Sequence, residues 1–354
     1  MNYHYKRFPE TDSNNLKAWN AADELLIKTL DLSKESVGVY NDAFGYLTVN
    51  LHENVTNCIT DLKSQELAIK QNLDINGLVN SKIQFLSPIE TADNTIEIAV
   101  LKVPKSVELF ELFIQHIHQN LTDHGTVYCG FMTKYFNASL LKIADQYFEN
   151  VTQTKALKKA RLLVLQNKKP IPNKALINEI DYRGLKIKQY YGVFSSDKID
   201  FGTQFLLDHL TIPQQAESIL DLASGNGIIS KVIQDKQPLA KLYLMDDSAI
   251  AIASSRLNLS EKNTYFHHSH VLEGLPKGEL DWIITNPPFH FGHTIDISIP
   301  LNLFKESYLF LKPGGQLTIV ANINLGYLPQ LKQLFQNVSI LAKNTKFIIY
   351  NCVK

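Results

Sequence analysis

The stretch SILDLASGNGIISKVIQDKQPLAKLYLMDDS, residues 218–248, decides the fold class. An apolar run at 218–223 is typical of a buried strand, a glycine-containing turn follows it, and IISKVIQDK has the pattern of a helix. A second apolar run, at 241–246, predicts the next strand. Two strands separated by one helix indicate parallel neighbours joined by a crossover. The stretch therefore predicts an α/β protein built on a doubly wound sheet.

The same order of strands and helices continues on both sides of this stretch. LDWIIT (280–285) and QLTIVAN (316–322) predict further strands after it. The first half of the chain repeats the order, with strands expected in VGVYNDAFG (37–45), TIEIAVLKVPK (95–105) and TVYCGFM (126–132).

The two halves can be laid over each other. Asp61 precedes an Asn-Leu pair by the same interval as Asp247 does, and LKVPK (101–105) takes the place of TNPPF (285–289). We interpret the chain as two tandem doubly wound Rossmann-like domains, of which the N-terminal copy is degenerate because it has lost its special residues. A chance likeness between two α/β halves is the alternative.

Composition excludes several classes of protein. Of the 354 residues, 45% are hydrophobic and 20% charged, which suits packed cores and not a disordered chain. Lys+Arg and Asp+Glu both number 35, and this zero net charge argues against a polybasic nucleic-acid binder but is compatible with a nucleic-acid enzyme that has one local basic surface. The three cysteines are far apart and form no zinc motif. The polar N-terminus and the lack of an apolar run of ~18 residues predict a cytoplasmic protein with no membrane span.

A basic segment, residues 155–174, separates the halves and contains no acid. The sequence predicts a first domain at 1–165, a basic linker at 166–190 and a second domain at 191–354. The basic segment is either a solvated connector or a strip that contacts nucleic-acid phosphates. The candidate phosphate-binding residues are Lys155, Lys158, Lys159, Arg161, Lys168 and Lys169.

DLASGNG, residues 221–227, follows a predicted strand and opens a predicted helix. Glycine allows a tight turn and the close approach of a ligand, and the N-terminus of a helix offers free N–H groups. Asp246 ends the next strand, where a carboxylate can accept both hydroxyls of a ribose. The loop and the acid together indicate a site for a nucleoside-type cofactor. The alternative is that Asp246 only caps the helix that begins near Ser248.

DWIITNPPF, residues 281–289, places an amide, two prolines and an aromatic ring at the end of a strand, where ligands bind in open α/β sheets. The side-chain oxygen of Asn286 and the carbonyl of Pro287 can accept the two hydrogens of an exocyclic amine, and the rigid prolines fix their direction. Phe289 offers a face for a base to stack on, which contributes ~1–3 kcal/mol. The catalytic residues predicted are Asn286, Pro287, Pro288 and Phe289. An ordinary strand exit is the alternative.

The segment GVFSSDKIDFG, residues 192–202, precedes the first strand of the second half. It predicts either a capped amphipathic helix or a cover over the cofactor formed by Phe194, Asp200 and Gly202. The histidines between 267 and 293 lie in predicted loops and do not have the spacing of metal ligands. Methyl transfer from a sulfonium also needs no metal. No metal site is predicted.

DLASGNG, MDDS, ASSRLN and NPPFH together resemble the ribosomal RNA guanine-N2 methyltransferases of the RlmG/RsmC type. LKAWNAADELLIKTL (16–30), NDAFGYLT (41–48), KKARLL (158–163) and VFSSDKIDFG (193–202) are most similar to the members of this type that modify 23S rRNA. The resemblance covers nearly the whole chain, and its N-terminal segments are more specific than NPPF.

The resemblance implies S-adenosylmethionine as the methyl donor and the 2-amino group of a guanine in 23S rRNA as the acceptor. It implies that residues 286–289 hold the guanine, and that the first, methyltransferase-type half binds no donor and helps to bind RNA. The candidate donor-binding residues are Phe194, Asp200, Gly202, Asp221, Ala223, Gly225, Gly227, Asp246, Asp247, His270 and Asn286.

The sequence departs from the family's pattern at three places. The family's loop usually begins Asp-Leu-Gly-Cys, and this chain has Ala223 and Ser224 there, which predicts weaker donor binding. His270 stands where an Asn or Asp is expected near the adenine. The chain ends at NCVK without a longer basic tail, which leaves less positive charge for RNA.

Several alternative functions stay open. The same site suits a guanine of 16S rRNA, adenine N6 in DNA or a protein glutamine amide. A catalytically inactive RNA-binding or ribosome assembly factor is the alternative outside enzymes, motivated by Ala223 and His270. The expected partner is ribosomal RNA, naked or in an assembly intermediate, and the expected state is a monomer.

Overall fold

The computed structural model describes residues 3–8, 17–33, 35–78, 82–287, 290–291, 294–295 and 298–354. The chain divides into two compact units, unit 1 (Met1–Leu176) and unit 2 (Ile177–Lys354). Within the described ranges, no helix has the length and apolar character needed to cross a membrane.

Unit 1 is built on one seven-stranded sheet. Its strands are β1 (Val37–Tyr40), β2 (Val55–Ile59), β3 (Gln84–Leu86), β4 (Ile96–Lys102), β5 (Leu121–Met132), β6 (Phe148–Gln153) and β7 (Ala160–Lys168). Its helices are α1 (Ala21–Thr29), α2 (Tyr46–Asn50), α3 (Lys63–Ile75), α4 (Val107–Asn120) and α5 (Ser139–Tyr147). The strand order is β3-β2-β1-β4-β5-β7-β6, in which β7 is antiparallel to both neighbours and the other pairs are parallel.

Unit 2 begins with a hairpin and continues into a second seven-stranded sheet. Its strands are β8 (Ile177–Tyr182), β9 (Leu185–Tyr190), β10 (Ser218–Leu222), β11 (Lys241–Asp246), β12 (Thr264–His268), β13 (Leu280–Thr285), β14 (His290–Phe291), β15 (Thr294–Ile295), β16 (Leu311–Asn322), β17 (Asn337–Lys343) and β18 (Phe347–Val353). Its helices are α6 (Phe201–Asp208), α7 (Ile228–Lys236), α8 (Ala249–Asn258), α9 (Ser298–Phe310) and α10 (Leu328–Leu334). The order of the large sheet is β12-β11-β10-β13-β16-β18-β17, and β8–β9 and β14–β15 are separate hairpins.

The two large sheets have the same topology. When the strands of unit 2 are matched to those of unit 1 in chain order, β10 corresponds to β1, β13 to β4 and β18 to β7, and the two strand orders become identical. Each helix of unit 2 likewise has a counterpart in unit 1, from α6 and α1 onwards. The prediction of two tandem doubly wound α/β domains is confirmed.

The central strands are apolar on both faces because helices cover both sides of each sheet. In unit 2, Leu220 and Ile283 belong to the core on one face of the sheet, whereas Ile219 and Trp282 belong to the core on the other. The buried Trp282 indole is satisfied by Thr318, whose Oγ1 accepts from Nε1 at 2.9 Å. The apolar residues of strands such as β10 therefore pack into a core on whichever face they lie.

The structure differs from the sequence prediction in the basic segment and at one edge of each sheet. Apolar residues of the basic segment are buried in β7, where Leu162, Leu163 and Leu165 pack into the cores of unit 1. Residues 177–190 of the predicted linker form the β8–β9 hairpin. One strand of each sheet, β7 in unit 1 and β18 in unit 2, runs antiparallel to both of its neighbours, so the sheets are mixed and not wholly parallel.

Candidate active site

Three of the five residues in the loop between β10 and α7 have a left-handed backbone conformation. The φ angles are +59° at Ala223, +56° at Gly225 and +78° at Gly227. A β-carbon on Gly227 would lie 2.8 Å from Leu259 Cδ1 and 3.0 Å from Ser255 Oγ, so only glycine fits there. A β-carbon on Gly225 would meet no described atom within 4 Å, which leaves that face of the loop open for a ligand.

Asp246, the last residue of β11, connects this loop to the next helix. Its Oδ2 accepts from Gly225 N at 2.9 Å and its Oδ1 from Ser248 N at 2.9 Å. Ser248 itself caps α8 by accepting from Ala251 N. Loss of water around the Asp246 carboxyl raises its pKa to about 6, so it is mostly ionised at neutral pH. It therefore presents a negative charge beside the open face of Gly225.

Asp221 lies one residue before the end of β10 and is 1% exposed. Its Oδ2 accepts from both the backbone N and the Oγ of Ser230, at 3.1 and 2.8 Å, which fixes the start of α7. Burial raises the pKa of this carboxyl to about 7. Asp221 Oδ1 and Ser224 Oγ are buried and have no hydrogen-bond partner among the described atoms. These polar atoms and the open Gly225 face are compatible with a polar cofactor that carries N–H and O–H groups.

Asn286 follows β13 and leaves the sheet beside the glycine loop. Thr285 pairs with Leu222, and Thr285 Oγ1 donates to the Leu222 carbonyl at 2.7 Å. Asn286 follows the last residue of β13, and Ala223 follows the last residue of β10. The two therefore lie next to each other at the carboxyl edge of the sheet. This edge brings the loop, Asp246 and Asn286 together.

The amide of Asn286 is held by the first turn of α6. Its Nδ2 donates to Asp200 Oδ2 at 3.1 Å and to Thr203 Oγ1 at 2.9 Å. Asp200 also caps α6 by accepting from Gly202 N at 2.8 Å. Because both amide hydrogens have acceptors, the side-chain oxygen of Asn286 is the group that can accept from a substrate amine.

Gly202 lies close to the carboxylate that binds the Asn286 amide. A β-carbon there would lie 2.9 Å from Asp200 Oδ2 and 3.5 Å from Asn286 Oδ1. Pro287 is buried. Pro288 and Phe289 lie outside the described residues, so the predicted stacking face stays a prediction.

The remaining predicted donor-binding residues are spread around this edge. Phe194 is 70% exposed. The carbonyl of Asp247 accepts from His268 Nε2 at 2.9 Å. His270 lies in the loop after β12, and this loop is joined to β11 where Ser269 N donates to the Asp246 carbonyl at 3.0 Å. In the part of the chain that the structure describes, no three His, Cys, Asp or Glu side chains are grouped to hold a metal.

Sequence reasoning missed Asn258, which ties the glycine loop to two other segments. Its Nδ2 donates to the carbonyls of Asn226 in the loop, Lys188 in β9 and Ser254 in α8, at 2.9, 2.7 and 3.0 Å. Asn72 does the same in unit 1. Its acceptors are the carbonyls of Phe44, Lys6 and Ala68. The sequence did contain a sign of this role, since the Asn-Leu pair recurs at matching positions of the two halves. In the structure, the asparagine of each pair makes equivalent contacts in its unit.

Unit 1 places an ion pair where unit 2 holds the amide of Asn286. In the register of the central strands, Lys102 corresponds to Asn286. Its Nζ lies 2.6 Å from Asp23 Oδ2, and Asp23 corresponds to Thr203 because each is the third residue of its helix. An ammonium group is a donor only, so this position cannot accept the hydrogens of an amine.

The donor side of unit 1 has changed as well. Its loop keeps a left-handed glycine, Gly45, at the start of α2, but Ala43 replaces the open Gly225. The strand register places Thr60 at the position of Asp246. Unit 1 therefore keeps the frame of the site without its ligand-binding groups, which is the sense in which it is degenerate.

The predicted basic strip is only partly exposed. Lys155, Lys158, Lys159 and Arg161 are exposed, whereas the Lys168 and Lys169 side chains donate to the backbone carbonyls of Leu121 and Asp145. Four of the six predicted phosphate-binding residues are thus exposed. Their contact with phosphates stays a prediction.

Comparisons with known proteins agree with this architecture. Residues 1–169 match the family described as RLMG N-terminal domain, and residues 184–351 match the methyltransferase small domain. The T. thermophilus 16S rRNA N2 methyltransferase RsmC, solved with AdoMet and guanosine, is 22% identical, with 95% of this chain and 92% of that chain covered and a TM-score of 0.79. This likeness shows the shared two-domain fold.

Other solved structures are similar over part of the chain. An S-adenosylmethionine-dependent methyltransferase from Mesorhizobium loti is 13% identical, covering 43% of this chain and 96% of its own, with a TM-score of 0.32. A predicted O-methyltransferase from Agrobacterium tumefaciens is 17% identical, with 42% and 79% covered and a TM-score of 0.35. With an RLMG N-terminal domain at residues 1–169 followed by a methyltransferase small domain at residues 184–351, the chain belongs to the S-adenosylmethionine-dependent methyltransferases.

Proposed function

We propose that this protein methylates the exocyclic 2-amino group of one guanine in 23S rRNA. The observation that carries the proposal is the orientation of Asn286, whose amide hydrogens are bound by Asp200 and Thr203. Its side-chain oxygen is thereby available to a substrate at the edge of the sheet where the open glycine loop also lies.

The protein's contribution to catalysis is orientation of the amine. The nitrogen lone pair of guanine N2 is delocalised into the ring, and acceptors at both amine hydrogens hold the nitrogen in line for attack. Asn286 Oδ1 and the Pro287 carbonyl are these acceptors. The fixed first turn of α6 lets the amide take this direction without reorganisation when the substrate enters.

The donor site is the open face of the loop at 223–227 and the Asp246 carboxylate. S-adenosylmethionine supplies a methyl group activated by a sulfonium charge. Asp246 binds the two hydroxyls of a ribose with the free lone pairs of its oxygens, and Gly225 lets the ligand approach the backbone. The proton that the methylated nitrogen sheds passes to water, because no strong base is required once the amine carries the new bond.

Unit 1 has the fold of a methyltransferase domain without a donor site, and we assign it to RNA recognition. Its exposed cations, Lys155, Lys158, Lys159 and Arg161, suit the phosphates of a folded RNA. We place the enzyme in the cytoplasm as a monomer, with rRNA as its partner.

The large-subunit RNA is favoured over 16S rRNA by the N-terminal half of the chain. Residues 1–169 match the RLMG N-terminal domain, and the sequence segments in this half are the ones most similar to enzymes of 23S rRNA. The similarity to RsmC, which acts on 16S rRNA, keeps that RNA as the second candidate.

Labelled S-adenosylmethionine and naked rRNA from a strain lacking this gene test the proposal. We expect the purified protein to label 23S rRNA at one guanine and to leave 16S rRNA unlabelled. Labelling of 16S rRNA alone would transfer the assignment to the small subunit. Saturable donor binding by calorimetry without labelling of either RNA, free or in subunits, would overturn the substrate assignment, and no donor binding at all would favour an inactive assembly factor.

A further inference from the structure

An aromatic surface with two lysines lies beside the active site of unit 2. Phe201, the first residue of α6, is 51% exposed, and Lys198 Nζ lies 4.3 Å from its ring centroid. Lys346 Nζ lies 5.8 Å from the same centroid and 5.2 Å from that of Phe347. We name Phe201, Phe347, Lys198 and Lys346 the platform.

Three residues of the platform, Phe201, Lys346 and Phe347, line an open cavity of about 400 Å³ between α6 and the turn that precedes β18. Aromatic and polar side chains form its walls, including Phe201, Phe205, Asn344, Lys346 and Phe347. The Phe205 and Phe347 rings are stacked, with centroids 6.2 Å apart and an interplanar angle of 28°. This shape and lining suit a flat ring that stacks on the exposed Phe201 and the half-buried Phe347.

The platform is continuous with the group that orients the substrate amine. Phe201 directly follows Asp200, which binds the Asn286 amide. A β-carbon on Gly202 would lie 3.4 Å from Phe347 Cε1 and 3.5 Å from Asn286 Oδ1, so the ring and the amide flank the same glycine. A nucleotide next to the one at Asn286 is therefore within reach of the platform.

The charge of the platform is positive. Asp208, the acid in the cavity lining, is paired with Arg183 at 2.5 Å. Within the described residues, neither Lys198 nor Lys346 forms an ion pair with a carboxylate. Two ammonium groups beside the exposed Phe201 ring and the half-buried Phe347 ring combine attraction for phosphate with stacking surfaces, which is the combination that binds single-stranded nucleic acid.

Unit 1 lacks the aromatic part of the platform. Phe201 corresponds to Ala21, since each is the first residue of its helix, and the strand register places Ala160 at the position of Phe347. Lys159 corresponds to Lys346. The Lys159 carbonyl accepts from Thr133 N just after β5, and the Lys346 carbonyl accepts from Ile323 N just after β16, the counterpart of β5. The fold thus forms without either ring, and the rings occur in the unit that has Asn286, Gly225 and Asp246.

We propose that the platform binds a nucleotide adjacent to the target guanine in a single-stranded part of the RNA. Its base stacks on Phe201 and Phe347, and its phosphates are contacted by Lys198 and Lys346. The proposal rests on the proposed function, because it assigns a second nucleotide of the same RNA to the same site.

Steady-state methylation of rRNA by Phe201→Ala and Lys346→Gln variants tests the proposal. We expect Phe201→Ala to raise KM for RNA by about 5- to 150-fold, the range of a lost base stack, while Kd for S-adenosylmethionine stays unchanged. Lys346→Gln should reduce the slope of log affinity against log salt by about one. Tyr265→Ala and Lys262→Gln are the matched controls, because Tyr265 is 45% exposed on β12 at the opposite edge of the sheet.

Each outcome separates the platform from the proposed function. If the wild-type protein labels no RNA, the proposed function fails. If it labels RNA and Phe201→Ala retains the wild-type KM, the platform proposal is overturned. A loss seen only with ribosomal particles and not with naked RNA would also overturn it, by assigning the surface to a ribosomal protein.

Discussion

In the proposed mechanism, Asn286 is the residue whose side chain orients the substrate amine. Its environment gives the amide one orientation, because Asp200 and Thr203 accept from Nδ2. Sequence analysis selected Asn286 from its place at the end of a strand and Asp200 as part of a cover over the cofactor, but it predicted neither their contact nor the role of Thr203. The contact joins residues 83 positions apart and exists only once α6 has packed beside β13.

Replacement of Asn286 by alanine should abolish methyl transfer and leave donor binding intact. The variant removes one of two amine acceptors, and loss of a preorganised polar group of this kind lowers kcat by about 10²- to 10³-fold. Single-turnover labelling measures transfer, and calorimetry measures Kd for S-adenosylmethionine. Wild-type turnover in the variant would remove Asn286 from the mechanism. Lys102→Ala, at the equivalent position of unit 1, is the control and should not alter transfer.

Donor affinity should depend on the ionisation of Asp246. The pKa of this carboxyl is raised to about 6, and the ionised form is the better acceptor for ribose hydroxyls. Affinity should therefore be full at pH 7.5 and weaken as the pH falls through 6, approaching tenfold per pH unit below it. Calorimetry from pH 5 to pH 8 measures this. Asp246→Asn should bind at least about tenfold more weakly and lose the transition, whereas a pH-independent wild-type Kd would contradict the assigned role.

At the scale of elements, the apolar runs predicted the central strands well because parallel strands buried on both faces need such runs. The strand β7 was not predicted, because the many lysines of residues 155–174 are typical of an exposed connector. Leu162, Leu163 and Leu165 of the same segment are nevertheless buried. Ala223 replaces the glycine that the family usually has in this loop, and the sequence predicts weaker donor binding as a result. The structure shows its φ of +59°, a conformation that costs a non-glycine residue about 1 kcal/mol, and Asn41 adopts the same conformation at the equivalent place in unit 1.

The two equivalent asparagines give a matched test of how the glycine loop is held. Asn258→Ala and Asn72→Ala each remove one set of buried hydrogen bonds, and each should lower stability by about 1–3 kcal/mol. Only Asn258→Ala should also weaken S-adenosylmethionine binding, because only its loop faces the donor. Denaturant unfolding and calorimetry measure the two effects. Equal donor affinity in both variants would show that the loop position does not depend on Asn258.

At the scale of the whole molecule, one fold occurs twice, and among the described residues the candidate active-site groups lie in unit 2. Sequence analysis could recognise the duplication because Asp61 and Asp247, and the LKVPK and TNPPF strand exits, recur at matching places. It could not show what replaces the active groups. That required the strand register, which aligns Lys102 with Asn286 and Thr60 with Asp246.

Mass mapping of rRNA from a strain lacking this gene tests the central claim most directly. The account predicts that one N2-methylguanine is missing from 23S rRNA, that the wild-type gene restores it, and that the Asn286→Ala gene does not, although the variant protein accumulates normally. A strain whose rRNA retains every methylguanine, or restoration of the modification by Asn286→Ala, would contradict the account.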